Sequence, residues 1–119
     1  MAKKLVKKSA KKVTKKFPGA EKHEISLEEA KQHIQRHKKN PIHPNHHGGL
    51  FDRSAIDKIL AQRGCKGLRY YHGRNEDGHP NLVLVGVDKA GKDMAKMGIM
   101  ERSGFCPPDC DVTSELLKA

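Results

Sequence analysis

The chain has no tryptophan, two tyrosines and three phenylalanines among its 119 residues. So sparse an aromatic supply excludes a core built on rings and leaves aliphatic side chains to fill a small one. No apolar run approaches the roughly 18 residues that a membrane-spanning helix requires. Leu5-Val6 is too short to be the apolar segment of a signal peptide. Three cysteines are an odd number, which argues against a fully paired disulfide framework. The first twenty residues contain neither an acidic residue nor an arginine. Mitochondrial targeting segments are amphipathic and poor in acids, but they are Arg-rich, so the missing arginine counts against that address. A cytoplasmic chain with three thiols is the expectation these absences leave.

Lysine is what the first twenty residues do have. Lys3, Lys4, Lys7, Lys8, Lys11, Lys12, Lys15 and Lys16 stand in pairs, one pair every four residues. The formal net charge is +10, yet the other 16 basic residues face all 14 acidic ones, so the rest of the chain carries only +2. A lysine-rich segment with so little apolar surface does not offset its own ordering entropy, and its charges repel one another. Residues 1–22 therefore read as a disordered tail. Its period of four lies near the helical 3.6, so a bound helix would align Leu5 or Val6, Ala10, Val13 and Phe17 as one narrow stripe, with Pro18-Gly19 as a hinge.

Residues 23–119 read as a single small α+β domain. Ser26 with Glu29 three residues on forms a capping box, Ile25 sits where a hydrophobic staple belongs, and Leu27, Ala30 and Ile34 mark one face, so the spacing predicts a helix over 26–39. NPIHPNHHGG is a loop by its prolines, asparagines and glycines. LFDRSAIDKILAQRG predicts a second helix, capped by Asp52 or Ser54 and stopped at Gly64. KGLRYYH and NLVLVGV flank the turn formers GRNEDGHP and predict a hairpin. Leu82, Val83, Leu84, Val85 and Val87 are apolar on both faces of the second strand, which is expected to be well covered. GFCPPDC is a loop and DVTSELLKA a short terminal helix. The expected architecture has two N-terminal helices packed on one face of a small antiparallel, hairpin-based sheet, followed by a loop-rich C-terminus.

Four groups of residues offer chemistry. Lysines neutralise phosphates and release condensed counterions, which gives sequence-independent, salt-sensitive affinity, so the eight tail lysines point to nucleic acid or another polyanion. An anionic membrane surface is the competing target, and a merely solubilising terminus is the bland alternative. His33 and His37 lie four apart on one helical face, a spacing that holds a metal ion, and His43, His46 and His47 follow in the loop. Cys106 and Cys110 form a C-x3-C pair stiffened by Pro107 and Pro108. With Cys65 and a histidine they compose a Cys3His zinc site on paper, while a Cys106–Cys110 disulfide or redox pair and three reduced thiols are the alternatives. Finally, Arg69, Tyr70 and Tyr71 lie on the first strand of the hairpin, where an aromatic can stack on bases. VDKAGKD lacks the glycines of a phosphate loop, and Asp88 and Asp93 bracket a turn that they can cap. Nothing in these motifs argues for an enzyme.

The run ILAQRGCKGLRYYHG…NLVLVGVD…GKDM…CPPDC resembles a family of small uncharacterised bacterial proteins. Their pattern is a helix ending in Gly-Cys, a GxRxYYG strand, an LVLVGVD strand and a terminal CPPxC. The likeness covers residues 50–110 and carries Cys65, Tyr70, Tyr71, Gly73, Asp88, Cys106 and Cys110 onto this chain. Where the family has Tyr-Tyr-Gly, this chain reads Tyr70-Tyr71-His72-Gly73. The resemblance implies a discrete folded module and no activity. Non-enzymatic binding through the tail is thus the leading expectation. A zinc or thiol module on Cys65, Cys106 and Cys110, and a homo-oligomer joined through hairpin edges, are the alternatives.

Overall fold

The computed structural model describes residues 17–96 and 98–119. Among them are three α-helices, α1 (Leu27–Lys39), α2 (Arg53–Leu60) and α3 (Glu115–Lys118), and four strands, β1 (Gly48–Leu50), β2 (Cys65–Arg74), β3 (Pro80–Asp88) and β4 (Gly104–Cys106). The class is α+β, as expected. The strands form two separate antiparallel sheets, β2–β3 and β1–β4. The β1–β4 pair falls where the sequence predicts loop, apart from Leu50, which opens the segment predicted as the second helix.

Local signals account for where the elements start. The Ser26 hydroxyl accepts from the Glu29 N–H at 3.0 Å, and the Asp52 carboxylate accepts from the Ser54 N–H at 3.0 Å, so each side chain satisfies a donor left over at its helix start. Ser114 caps α3 in the same way, accepting from the Leu116 N–H at 3.1 Å. In the hairpin turn, Asn75 Oδ1 accepts from the backbone N–H groups of Asp77 and His79, which brings β3 back along β2. The two strands then pair in register from Arg74↔Pro80 to Gly67↔Val87.

The core is small and sits at one end of the hairpin. Ile59 of α2 and Leu84, Val85 and Val87 of β3 are the buried hydrophobic residues. Coverage of β3 is therefore uneven: its second half is buried, whereas Leu82 is exposed. Two things cover the buried half. Helix α2 packs on β2 and β3. The segment after β3 folds back along its outer edge, where Leu84 and Met100 exchange backbone hydrogen bonds and the Met94 N–H donates to Gly86 O. The other half, toward the turn, lies beyond both.

The expectation of two helices on one sheet face is corrected in part. Helix α2 lies on the hairpin, but α1 packs with α3 instead. Lys38 Nζ donates to Leu117 O at 2.7 Å and Ala119 O at 2.8 Å, satisfying carbonyls that the end of α3 leaves unpaired. Lys31 Nζ adds an ion pair with Glu115 at 3.6 Å. The apolar stripe read for α1 is thin, with Leu27 exposed and Ala30 and Ile34 half-buried, so charged groups do much of the docking.

Residues 17–22, read as the end of the tail, hold a short 3-10 turn at Ala20–Lys22. The Phe17 ring lies over Gly67 of β2, where a Cβ would come within 3.1 Å of it. The eight tail lysines lie outside the described residues.

Candidate functional site

Three features bring chemically capable side chains together. The first is a cleft of about 430 Å³ between the end of α1, strand β1, the CPPDC loop and α3. Cys106 ends β4 opposite Gly48, and the His47 N–H donates to Cys106 O at 2.7 Å, which ties the histidine loop to the cysteine strand. The loop then doubles back: the Asp109 N–H donates to Phe105 O and the Cys110 N–H to Pro108 O. Cys106 and Cys110 are thereby held with Cα atoms 4.8 Å apart and are joined by a disulfide. Both cysteines line the cleft together with His37, Lys38, His47 and Asp109.

The second is an imidazole cluster under the hairpin turn. His43 stacks on His79 with ring centroids 4.2 Å apart, His79 stacks on Phe105 at 5.4 Å, and His46 meets Phe105 edge-on at 5.0 Å. The Nδ1 atoms of His46 and His79 are buried without a hydrogen-bond partner. Burial, and then the neighbouring imidazoles of His79, His43, His37 and His47, hold His46 below the ordinary histidine value of 6.5.

The third is an exposed row of side chains on β2. Alternation brings Lys66, Leu68, Tyr70, His72 and Arg74 to the surface, and Tyr70 is 57% exposed, with its ring 5.4 Å edge-on from that of His72. On the opposite face Arg69 donates to Asp93 Oδ1 at 2.6 Å and the Tyr71 hydroxyl donates to Asp93 Oδ2. The two aspartates read as turn caps thus divide. Asp88 is the cap, accepting from the Ala90 and Lys92 N–H groups at 2.9 and 3.0 Å, while Asp93 pairs with β2. Tyr71 is committed to that pair and Tyr70 is not.

The zinc set drawn from the sequence is not brought to one point. Cys65 is a free thiol at the start of β2 and donates to Gly67 O at 3.3 Å, while the other two sulfurs are bonded to each other. His33 is on the exposed side of α1, 3.8 Å from a Glu29 carboxylate oxygen, whereas His37 reaches the cleft. Among the described residues no group of three or more His, Cys, Asp or Glu side chains is arranged to hold a metal ion. Sequence reasoning missed His79 and read His47 only as a member of the metal-binding histidine cluster. The signal for His79 was its position just before β3, across the hairpin turn from a strand already assigned.

The described fold is thus an α+β module with a disulfide-walled cleft at one end and a basic, aromatic strand face on the hairpin. Compared with known proteins, the chain matches no family model, no curated protein and no solved structure. No helix among the described residues is long and apolar enough to cross a membrane.

Proposed function

We propose that the protein is a cytoplasmic, non-enzymatic binder of nucleic acid that grips the phosphate backbone through Lys3, Lys4, Lys7, Lys8, Lys11, Lys12, Lys15 and Lys16. One observation carries this reading: all eight lysines precede the first acidic residue of the chain. Their charge is therefore uncompensated, and phosphate is the dense anion that releases counterions when they approach. The fold supports it at the join. Phe17, which follows the lysine block directly, packs over Gly67 on the β2 face of Arg69 and Tyr71, while Lys66, Tyr70, His72 and Arg74 are exposed on the other face. Tyr70 on that other face is an exposed ring on which a base can stack.

The test is binding to a labelled oligonucleotide by fluorescence anisotropy, with full-length protein and with residues 2–16 deleted so that Phe17 is kept. Eight phosphate contacts predict a slope of about −7 for log affinity against log salt on duplex DNA. Deletion is expected to lower affinity at low salt by about a hundredfold or more and to flatten that slope. Equal binding by the truncated chain, or affinity indifferent to salt, would overturn the reading. Preference for anionic vesicles over oligonucleotides would transfer the lysines to a membrane surface.

A further inference from the structure

The Cys106–Cys110 disulfide lies on the wall of the cleft and bridges residues only four apart. A ring so short removes little entropy from the unfolded chain, so the bond contributes modestly to holding the fold. Cys106 is instead held by the β1–β4 pairing and the His47–Cys106 backbone hydrogen bond, neither of which needs the sulfurs joined. The free thiol Cys65 is on the hairpin, packed against Gly86. Around the sulfurs the cleft offers His37 and Lys38 from α1, His47 ahead of β1, and Asp109 and Asp111 from the cysteine loop. Lys38 is committed to the carbonyls of Leu117 and Ala119, which leaves His37 and His47 as the other nitrogen-bearing side chains lining the cleft.

We propose that Cys106–Cys110 is a thiol–disulfide exchange site whose substrate is a dithiol presented by a peptide or protein segment that enters the cleft. A thiolate of the incoming dithiol attacks one sulfur of the pair. The S–S bond breaks, a mixed disulfide forms, and the other cysteine departs as a thiolate. The second thiol of the incoming molecule loses its proton and attacks its own sulfur in the mixed disulfide. That molecule leaves oxidised to a disulfide, and Cys106 and Cys110 are left as two thiols after taking up two electrons and two protons. We assign His37 and His47, which line the same cleft, as positioning residues: a protonated imidazole brought up to the departing sulfur would favour its thiolate form and so make it a better leaving group. This inference is independent of the lysine block.

Oxidised full-length protein is mixed with dithiothreitol as the dithiol probe, quenched with acid, alkylated and mapped by mass spectrometry, which separates the pair from Cys65. The expected result is complete reduction of Cys106 and Cys110 with the far-ultraviolet circular dichroism unchanged. A Cys110→Ser or Cys106→Ser variant should accumulate a mixed disulfide with glutathione on the remaining cysteine of the pair. The His37→Gln/His47→Gln double variant should exchange about tenfold more slowly near neutral pH and show a flatter pH–rate profile. A pair reduced only after denaturation, or a fold that collapses when the pair is reduced, would overturn the exchange site. Identical rates and pH profiles in the double variant would overturn the role of the imidazoles.

Discussion

Gly86 is where the small core is most sensitive to a single atom. Helix α2 lands on β3 at this position, and a Cβ there would stand 3.0 Å from Cys65 Sγ, 3.1 Å from Gln62 Nε2 and 3.3 Å from Ile59 Cγ2. Those neighbours belong to the packed end of the hairpin, and Ile59 is 0% exposed, so there is little room to yield. Gly86→Ala should therefore destabilise the protein by about 1–3 kcal/mol, the usual cost of overpacking. Ile59→Ala, which empties the same spot, should cost about 2–5 kcal/mol. Urea unfolding checks both, with the midpoint shifting and the slope unchanged. At this scale the sequence was half legible. The apolar run of β3 announced a buried strand, but nothing in LVLVGVD distinguishes a glycine that admits a helix from one that merely weakens a strand. The partner of Asp93 was illegible for a related reason: Arg69 is 24 residues away, and only the hairpin register puts the two side chains together.

Helix starts and the hairpin turn were legible because capping and turn chemistry act within a few residues of one another. The β1–β4 sheet was not, since its strands are three residues each and lie on opposite sides of the hairpin. The docking of α1 on α3 was hidden too, because Lys38 finds its carbonyl partners about eighty residues downstream. These poorly signalled elements are also the pH-sensitive ones. The loop before β1 places His43 and His46 against His79 of the hairpin, and His46 is held below 6.5 mainly by burial. The unfolded chain thus takes up a proton that folded His46 refuses. Stability should fall as pH drops from 6.5 toward the lowered folded value and level off below it. Asp93 gives a second, lower window. The Tyr71 hydrogen bond and the Arg69 partner hold its carboxyl below the ordinary 3.8 against the opposing effect of desolvation. Its contribution is present above 3.8 and lost as pH falls through the depressed folded value. Calorimetry across the acid range should show both steps. His46→Phe should remove the upper one, and Asp93→Asn should diminish the lower one, which Asp52 and Asp111 share through their hydrogen bonds to Ser54 and Thr113, each leaving the other in place.

For the whole molecule, charge divides the chain more sharply than any structural boundary. The segment before Phe17 holds eight lysines and no acid, while the rest is within two charges of neutral. At the join Phe17 lies over Gly67 and is itself partly exposed, which gives the lysines an aromatic anchor through which to influence the domain. Their mutual repulsion acts at distances that salt screens to about 8 Å at physiological strength. Deleting residues 2–16 should therefore leave the thermal midpoint of the body unchanged at physiological salt while removing most of its retention on a phosphate matrix. Phe17→Ala in the full-length chain should do the reverse, lowering the midpoint slightly and leaving retention intact. A domain whose midpoint fell with the lysines would mean that the block is part of the fold rather than an appendage to it. In that case the separation between a gripping tail and a cleft-bearing body would fail, and binding and stability could no longer be changed independently.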